Sequence, residues 1–493
     1  MEILYKSTRD SEKRVTASLA ILQGLSEDGG LYLPTAVPSL DKSFAELSGM
    51  NYREIAYEVM KLFFTDFTEE ELRYCIDKAY DSKFDTEEIA PIKKVDGTYY
   101  LELFHGSTIA FKDMALSILP YLMTTSARKN NITNEIVILT ATSGDTGKAA
   151  LAGFASVPGT RIVVFYPKGG VSFIQERQMI TQKGDNTLVV GIRGNFDDAQ
   201  SQVKAIFGDD EFKAELDKAG FQLSSANSIN IGRLIPQVVY YVYSYATLLA
   251  KGEISDGEMI NVTVPTGNFG NILAAFIAKK MGTPIDKLIC ASNENKVLYD
   301  FFKTGLYDKN RDFILTNSPS MDILISSNLE RLIYLIAGED SEVNKSLMED
   351  LKNKGSYTIT DSMKANLDSF VGGFATEDET VGEIARLYKE DGYVIDTHTA
   401  VASYVYNEYR KSTGDDKKTV IASTASPYKF INSVMKAVAP DEAGEEFALV
   451  DKLSSISGVK IPNAVEDIKN ADILHNMVVD IDEMKNTVRD FLK

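Results

Sequence analysis

The chain has 493 residues, of which 44% are hydrophobic, a length that allows roughly two to four domains with substantial cores. Its 71 Asp and Glu residues outnumber its 52 Lys and Arg residues, and the formal charge of −19 disfavours binding to nucleic acid or to anionic membranes. Two distant cysteines and three histidines without metal-ligand spacing argue against a disulfide scaffold and a structural zinc site. No signal peptide or transmembrane run is recognisable, which predicts a soluble, cytoplasmic protein.

The first 90 residues predict a helical N-terminal cap domain. Helices are expected over 51–64 and 68–80, and the second begins with Thr68 followed by Glu71 three residues later, the pattern of a capping box.

From about residue 134 onward, short β-rich runs alternate with helical segments. The first series predicts strands at 136–140, 161–166 and 187–192, followed by a helical segment at 196–216. The second predicts strands at 260–264, 287–291, 393–396 and 419–423, and an amphipathic helix at 481–492. Such alternation is typical of parallel sheets covered on both faces. We therefore predict an α/β fold in which two doubly wound sheet units, residues 91–259 and 260–493, flank a cleft and follow the cap of residues 1–90.

One lysine interrupts the apolar run from Ile109 to Leu116. The apolar residues cover most of the circumference of a helix, so its first turns should be buried. Burial favours the neutral amine of a lysine, which can act as a nucleophile or base. The alternative is that Lys112 and Asp113 form the exposed stripe of an amphipathic helix. For a lone lysine the exposed stripe is the better interpretation, but the loops elsewhere in the chain favour the buried amine.

Ligands of open parallel sheets bind at the carboxyl ends of the strands, so the loops that leave the strands indicate function. The loop after 136–140 reads Ala-Thr-Ser-Gly-Asp-Thr-Gly-Lys-Ala. It predicts an anion site at a helix N-terminus, formed by Thr142, Ser143, Thr146 and the amides around Gly144 and Gly147. A Walker phosphate loop is excluded, because Thr142 and Ala149 stand where that motif requires a glycine and a hydroxyl.

Three further loops carry weaker signals. Residues 265–271, Pro-Thr-Gly-Asn-Phe-Gly-Asn, suit a phosphate ester, although a plain strand-to-helix turn explains them equally well. Residues 224–233 combine Ser and Asn with Arg233, which suits an anionic substrate or, alternatively, a helix cap with a surface arginine. The hydroxyls of residues 423–430 would reach a ring nitrogen or cap the next helix, and the cap is the better interpretation of that loop alone.

A buried lysine, a glycine-asparagine loop and a Ser/Thr loop are the parts of a pyridoxal-phosphate (PLP) site. Four strings in order resemble threonine synthase: His105-Gly-Ser-Thr-Ile-Ala-Phe-Lys-Asp113, Thr140-Ala-Thr-Ser-Gly-Asp-Thr-Gly147, Ser225-Ala-Asn-Ser-Ile-Asn-Ile231 and Pro265-Thr-Gly-Asn-Phe-Gly270. Residues 5–9 and 28–34 are similar to the long-chain form of that family. The resemblance implies the tryptophan-synthase-β-like fold (fold-type II) and a lyase that converts O-phospho-L-homoserine and water to L-threonine and phosphate.

The resemblance also implies roles for individual residues. Lys112 would form the Schiff base with PLP, and Thr424 would meet the pyridine nitrogen. The cofactor phosphate would be held by Gly267, Asn268, Phe269, Gly270 and Asn271. The substrate carboxylate would face Ser143, Gly144, Asp145 and Thr146, and the substrate phosphate would meet Asn227, Ser228 and Arg233.

The sequence departs from the family pattern at two positions. Ser107 replaces the usual proline and Ser426 replaces a frequent histidine, and His398 is expected to be a satisfied histidine at a helix start. Within the same class, a phospho-lyase or dehydratase acting on a related hydroxy amino acid would use the same lysine and loops. A non-catalytic phosphometabolite-binding relative is the alternative from another class. We expect a small-molecule substrate, no metal, no nucleic acid or membrane partner, and a monomer or homodimer.

Overall fold

The computed structural model of the chain describes residues 2–142 and 144–493. The strands are β1 (Tyr5–Ser7), β2 (Arg14–Val15), β3 (Tyr32–Pro34), β4 (Ile92–Val95), β5 (Thr98–Glu102), β6 (Glu135–Ala141), β7 (Thr160–Pro167), β8 (Thr187–Ile192), β9 (Phe221–Ser224), β10 (Ile260–Pro265), β11 (Ile285–Ser292), β12 (Leu306–Asp308), β13 (Ser356–Thr358), β14 (Phe370–Phe374), β15 (Thr419–Ser423) and β16 (Val478–Val479). 

The helices are α1 (Ala17–Gln23), α2 (Phe44–Leu47), α3 (Tyr52–Phe63), α4 (Glu69–Ala79), α5 (Asp113–Leu116), α6 (Leu119–Lys129), α7 (Asp145–Phe154), α8 (Phe173–Ile180), α9 (Phe196–Gly208), α10 (Asp210–Lys218), α11 (Ile231–Ala250), α12 (Gly270–Lys280), α13 (Val297–Thr304), α14 (Leu329–Ile336), α15 (Ser341–Lys354), α16 (Asp361–Ala365), α17 (Glu377–Asp391), α18 (Thr397–Thr413), α19 (Ile431–Val438), α20 (Glu446–Ser457), α21 (Asn463–Lys469) and α22 (Met484–Phe491). Short 3₁₀ turns cover Pro319–Met321, Pro427–Phe430 and Ile481–Glu483. No helix of the described residues has both the length and the apolar character needed to cross a bilayer.

The larger sheet has six strands in the order β14-β11-β10-β15-β5-β4. Its strands run parallel except β4, which is antiparallel to β5. The central strands β10 and β15 are buried along their whole length. This explains their continuously apolar or small side chains, since helices cover both faces of the sheet.

The smaller sheet has five parallel strands in the order β16-β8-β7-β6-β9. One face packs with α7 in the main core, and the other packs against α9, α10 and α22. With the larger sheet, it confirms the predicted α/β fold with two doubly wound units.

The division of the chain at residues 90 and 259 stays a prediction. Three strands lie in the opposite sheet from the one that this division gives them: β4 and β5 pair within the larger sheet, and β16 pairs with β8 in the smaller one. The chain therefore crosses between the sheets more often than the order of the motifs indicates.

The N-terminal cap contains the predicted helices and a small sheet that the sequence analysis did not predict. Asn51 begins α3 and Thr68 begins α4, each through a capping box with a glutamate three residues later. Strands β2, β1 and β3 form an antiparallel sheet beside them. The buried side chains of the cap join those of α11 in one continuous core.

Two predicted elements are wrong. Residues 393–396 form no strand: the carboxylate of Asp396 accepts the N–H groups of His398 and Thr399 at the start of α18. The sheet position beyond β11 belongs instead to β14. The predicted helix 196–216 is two helices, because Asp209 ends α9 and caps α10 through the N–H of Phe212.

Candidate functional site

A cleft lies at the carboxyl ends of β10 and β15 and beside the first turns of α7 and α11. Its empty volume is about 720 Å³ including the open mouth. The sequence-predicted residues that line it are Lys112, Asp145, Thr146, Ser228, Arg233, Gly267, Asn268, Phe269, Gly270, Asn271 and Thr424. Gly144 and Asn227 are not part of the lining, and Ser143 lies outside the described residues. The structure thus brings most of the predicted site together around one amine.

Lys112 immediately precedes the short helix α5, and its side chain is only 11% exposed. The Nζ atom lies 3.4 Å from Asp145 Oδ2 and 3.4 Å from Ser320 Oγ. Burial lowers the pKa of Lys112; Lys429 and Arg233 act in the same direction, and Asp145 acts against them. The exposed-stripe alternative is therefore wrong, since Asp113 is only 2% exposed as well.

The turn before Lys112 is tied to the loop that follows β15. Asp113 accepts hydrogen bonds from the N–H and the hydroxyl of Thr108, at 2.7 and 2.6 Å. Ile109 has a φ of 52°, a strained conformation for a β-branched residue. The N–H of Phe111 donates to the carbonyl of Thr424 at 2.8 Å. These bonds fix the lysine and the hydroxyl of Thr424 on neighbouring backbone segments.

The glycine-asparagine loop joins β10 to α12. A Cβ added to Gly267 would lie 2.6 Å from the Ser320 carbonyl oxygen, so only glycine fits there. Phe269 caps α12 with a left-handed φ of 65°, and its buried ring packs against Phe302 and Phe370. The packing of the ring stabilises this strained backbone conformation. The free N–H groups at the start of α12 can then bind an anion.

Asn271, in the first turn of α12, has a fixed amide. Its Oδ1 accepts hydrogen bonds from the hydroxyls of Tyr240, at 2.8 Å, and Tyr241. The Nδ2 atom is buried and has no partner among the described residues. Because buried donors are costly without an acceptor, this N–H group is available for a ligand in the cleft.

The Ser/Thr loop differs from its predicted geometry. The hydroxyl of Thr142 accepts the N–H groups of Gly144 and Gly147, at 2.9 and 3.0 Å. These two amides, expected to face an anion, therefore stabilise the turn itself. Gly144 allows a close approach, because a Cβ added there would lie 2.6 Å from the Gln175 amide and the φ of 138° favours glycine.

The carboxylate of Asp145 is enclosed by donors. Gln175 Nε2 and Lys429 Nζ lie 2.7 and 2.9 Å from Oδ1, and the hydroxyl of Ser320 lies 2.6 Å from Oδ2. Burial alone would raise the pKa of Asp145, but the nearby lysines, Lys429 first, hold it well below its ordinary value. Asp145 is an anion at neutral pH.

Arg233, in the first turn of α11, is a buried cation with few partners. It is 3% exposed, and Nη1 donates to the Ala226 carbonyl at 2.9 Å. Among the described residues, Nε has no hydrogen-bond partner, and no carboxylate acts on the pKa of the guanidinium. Burial lowers its pKa to about 10, so it is charged at neutral pH. Asn227, by contrast, is exposed, and its Oδ1 accepts the Ser228 hydroxyl within its own turn.

Sequence reasoning missed Ser320 and did not expect His398 to line the cleft. The N–H of Ser320 donates to His398 Nε2 at 3.1 Å, while His398 Nδ1 bonds Asp396 at 2.8 Å. His398 is satisfied, as expected, but its ring faces the site. The only signal for Ser320 was the small polar run Asn-Ser-Pro-Ser at 317–320, in a stretch otherwise poor in markers.

Comparisons with known proteins agree with this geometry. Family models match residues 4–80 (threonine synthase N terminus), 87–425 (pyridoxal-phosphate dependent enzyme) and 399–478 (threonine synthase, C-terminal). The chain is 38% identical to threonine synthase of Schizosaccharomyces pombe over 89% of this chain and 90% of that protein. The crystal structure of PLP-bound threonine synthase from Brucella melitensis superposes with a TM-score of 0.89 at 34% identity, covering 100% of both chains.

Another relative is longer than this chain. Threonine synthase-like 1 of Homo sapiens is 40% identical over 88% of this chain, which spans 60% of the length of that protein. The pyridoxal-phosphate family model covers all the loops around Lys112, and the matches to threonine synthases extend over most of both chains. The chain therefore belongs to the threonine synthase family of pyridoxal-phosphate-dependent enzymes.

Proposed function

We propose that this protein is a threonine synthase, which converts O-phospho-L-homoserine and water to L-threonine and phosphate. The observation that carries the proposal is the position of Lys112: a nearly buried amine opens on the same cleft as the glycine-asparagine loop and Arg233, whose Nε lacks a partner among the described residues. One amine and two anion sites suit an aldehyde cofactor with a phosphate and a second phosphate on the substrate.

The residues of the cleft fit PLP. We assign its phosphate to the loop of Gly267, Asn268, Phe269 and Gly270 together with Asn271, whose buried Nδ2 lacks another partner among the described residues. Thr424 would meet the ring nitrogen with a neutral hydroxyl. When bound, PLP supplies an electron sink for the substrate carbons. Lys112 would hold the cofactor and would move protons at those carbons, a role that its lowered pKa supports.

The substrate phosphate is assigned to Arg233 with Ser228, because a buried cation without a carboxylate favours an anionic ligand. Asn227 would join them only if its turn rearranged. The substrate carboxylate is assigned to Asp145 and Thr146, which line the cleft; of the other two predicted residues, Gly144 donates its N–H to Thr142 and Ser143 lies outside the described residues. The Asp145 side chain is already bound by Lys429 and Ser320, so we infer that Asp145 contributes its backbone N–H.

The proposal is tested by colour, labelling and product. The purified protein should be yellow, borohydride should bleach it, and the reduced label should lie on Lys112. With O-phospho-L-homoserine the product should be threonine; a 2-oxo acid and ammonia, formed only from O-phosphothreonine or a hydroxy amino acid, would indicate the phospho-lyase or dehydratase. A Lys112→Ala variant should be colourless and inactive, whereas the exposed Lys94→Ala serves as the matched lysine control. A Lys112→Ala variant that is coloured and active would contradict the proposal. Colour without turnover in the unchanged protein would favour a non-catalytic relative.

We also infer a cytoplasmic location and a monomer or homodimer. The two cysteines, Cys75 and Cys290, are free and buried, which suits a reducing compartment. Cell fractionation tests the location, and light scattering of the purified holoprotein tests the oligomeric state.

A further inference from the structure

The carboxylate of Asp145 lies between two lysines. Its Oδ1 is 2.9 Å from Lys429 Nζ, and its Oδ2 is 3.4 Å from Lys112 Nζ. The side chain of Lys429 is 0% exposed, whereas that of Lys112 is 11% exposed on the cleft. One carboxylate thus contacts two lysine side chains, and the more deeply buried lysine has the shorter contact.

Further bonds fix the orientation of the carboxylate. Gln175 holds Oδ1 at 2.7 Å, on the side of Lys429, and Ser320 occupies Oδ2 at 2.6 Å. Lys429 also donates to the Thr108 carbonyl at 3.4 Å. The carboxylate is therefore positioned for Lys429 as much as for Lys112.

A buried ammonium is stable only with a partner, so the two lysines compete for Asp145. The charged and titratable groups around Lys112 are Asp145 and Lys148 on α7, Asp113 on α5, Arg233 on α11, His398 on α18 and Lys429 in the 3₁₀ turn Pro427–Phe430. Lys148 donates to the Thr108 carbonyl at 3.0 Å. Near Lys112, the cations Lys429 and Arg233 outnumber the anion Asp145.

We propose that Lys429 is a positioning residue that holds the Asp145 carboxylate and thereby favours proton release from Lys112, the lysine that opens on the cleft. The proposal rests on the proposed role of Lys112 as the cofactor lysine. It assigns a function to Lys429, which lies in the loop after β15 and contributes nothing to the surface of the cleft. Lys429 acts on Lys112 from outside the cleft, through its hold on Asp145 and through its own charge.

The test is a pH titration of the visible absorbance of the holoprotein without substrate, since this absorbance follows the protonation of the Lys112 nitrogen. Lys429→Met removes a cation and leaves Asp145 to Lys112 alone, so the midpoint should rise by about one pH unit. Asp145→Asn removes the anion, so the midpoint should fall by a similar amount. If Lys429 and Asp145 served packing alone, the two variants would not shift the midpoint in opposite directions.

Lys279→Met is the matched control, because it removes another ammonium that donates to backbone carbonyls, those of Ile285 and Asp286, and is not among the charged groups that act on Lys112. Its midpoint should stay close to that of the unchanged protein. If Lys429→Met does not fold, Lys429→Gln removes the same charge and should also raise the midpoint.

A yellow Lys429 variant with an unchanged or lowered midpoint would overturn the inference and leave the proposed function intact. An unchanged protein without a borohydride-sensitive colour on Lys112 would instead overturn the proposed function. The two failures are therefore distinguishable.

Discussion

Replacing Arg233 with methionine should affect folding and ligand binding in opposite ways. The guanidinium is 3% exposed and has one recorded hydrogen bond, from Nη1 to the Ala226 carbonyl at 2.9 Å. Nε is buried and has no partner in the described part of the chain, and such a donor costs about 1–3 kcal/mol. Methionine removes that cost at similar length, so the free energy of unfolding of the substrate-free holoprotein should stay equal or rise by about 1 kcal/mol.

Binding should weaken because the same charge is assigned to the substrate phosphate. A hydrogen bond to a charged group contributes about 1.5–3 kcal/mol, so the KM for O-phospho-L-homoserine should rise roughly 10- to 150-fold. Steady-state kinetics measure this change, and inorganic phosphate as a competitive inhibitor should lose affinity in parallel. The visible absorbance should remain, because the cofactor is assigned to other residues.

Arg331→Met provides the contrast. Arg331 is fully buried, but it donates to the carbonyl oxygens of Tyr32, at 2.9 Å, and Ile229 and to the side chain of Asn328. Losing this network should destabilise the protein by about 3 kcal/mol or more. Calorimetry compares the two variants. If Arg233→Met proves as destabilising as Arg331→Met and leaves phosphate inhibition unchanged, then Arg233 is a structural residue and the phosphate assignment is wrong.

Three other predictions concern the cofactor loop and pH. Asn271→Leu removes the unpaired amide donor and should weaken PLP binding roughly 10-fold, measured by absorbance during dialysis; full retention of PLP would contradict its orientation. Gly267→Ala places a methyl group 2.6 Å from the Ser320 carbonyl oxygen, so the loop must shift and PLP affinity should fall. Gly97→Ala is the control: no atom lies within 4 Å of the added methyl group, and its φ of 72° strains only its own turn. For His105, burial opposes protonation, but hydrogen bonds to its two carboxylate partners raise the pKa to about 9. Since the folded pKa lies above the unfolded value of about 6.5, this contribution, of the order of 3 kcal/mol at most, is complete below pH 6.5 and lost as the pH rises through 9. Chemical unfolding at several pH values should show that loss, and His105→Gln should remove it; the same pH dependence in the variant would refute the argument.

Local patterns predicted the elements whose own side chains determine them. Strands 187–192 and 419–423 have the predicted bounds, because each is a continuous apolar or small-residue run buried in a parallel sheet. The capping boxes at Asn51 and Thr68 likewise lie within a few residues of sequence. The burial of Lys112 could be predicted once several loops were considered together.

What the sequence could not predict depends on contacts between distant segments. Ser320 reaches Lys112 from 208 residues along the chain, through a loop held by His398. Lys429 meets Asp145 only because the loop after β15 lies beside the start of α7. The false strand at 393–396 shows the converse, since its apolar residues pack without pairing and Asp396 serves as a helix cap.

The small sheet is finished by residues from the far end of the chain. Strand β16 adds the edge beside β8, and Met484 and Val488 of α22 are fully buried against the sheet. During synthesis, the apolar face that packs against α9 and α10 is therefore covered completely only once α22 has left the ribosome. Until then, part of that apolar face is exposed, and the nascent chain is open to aggregation through it.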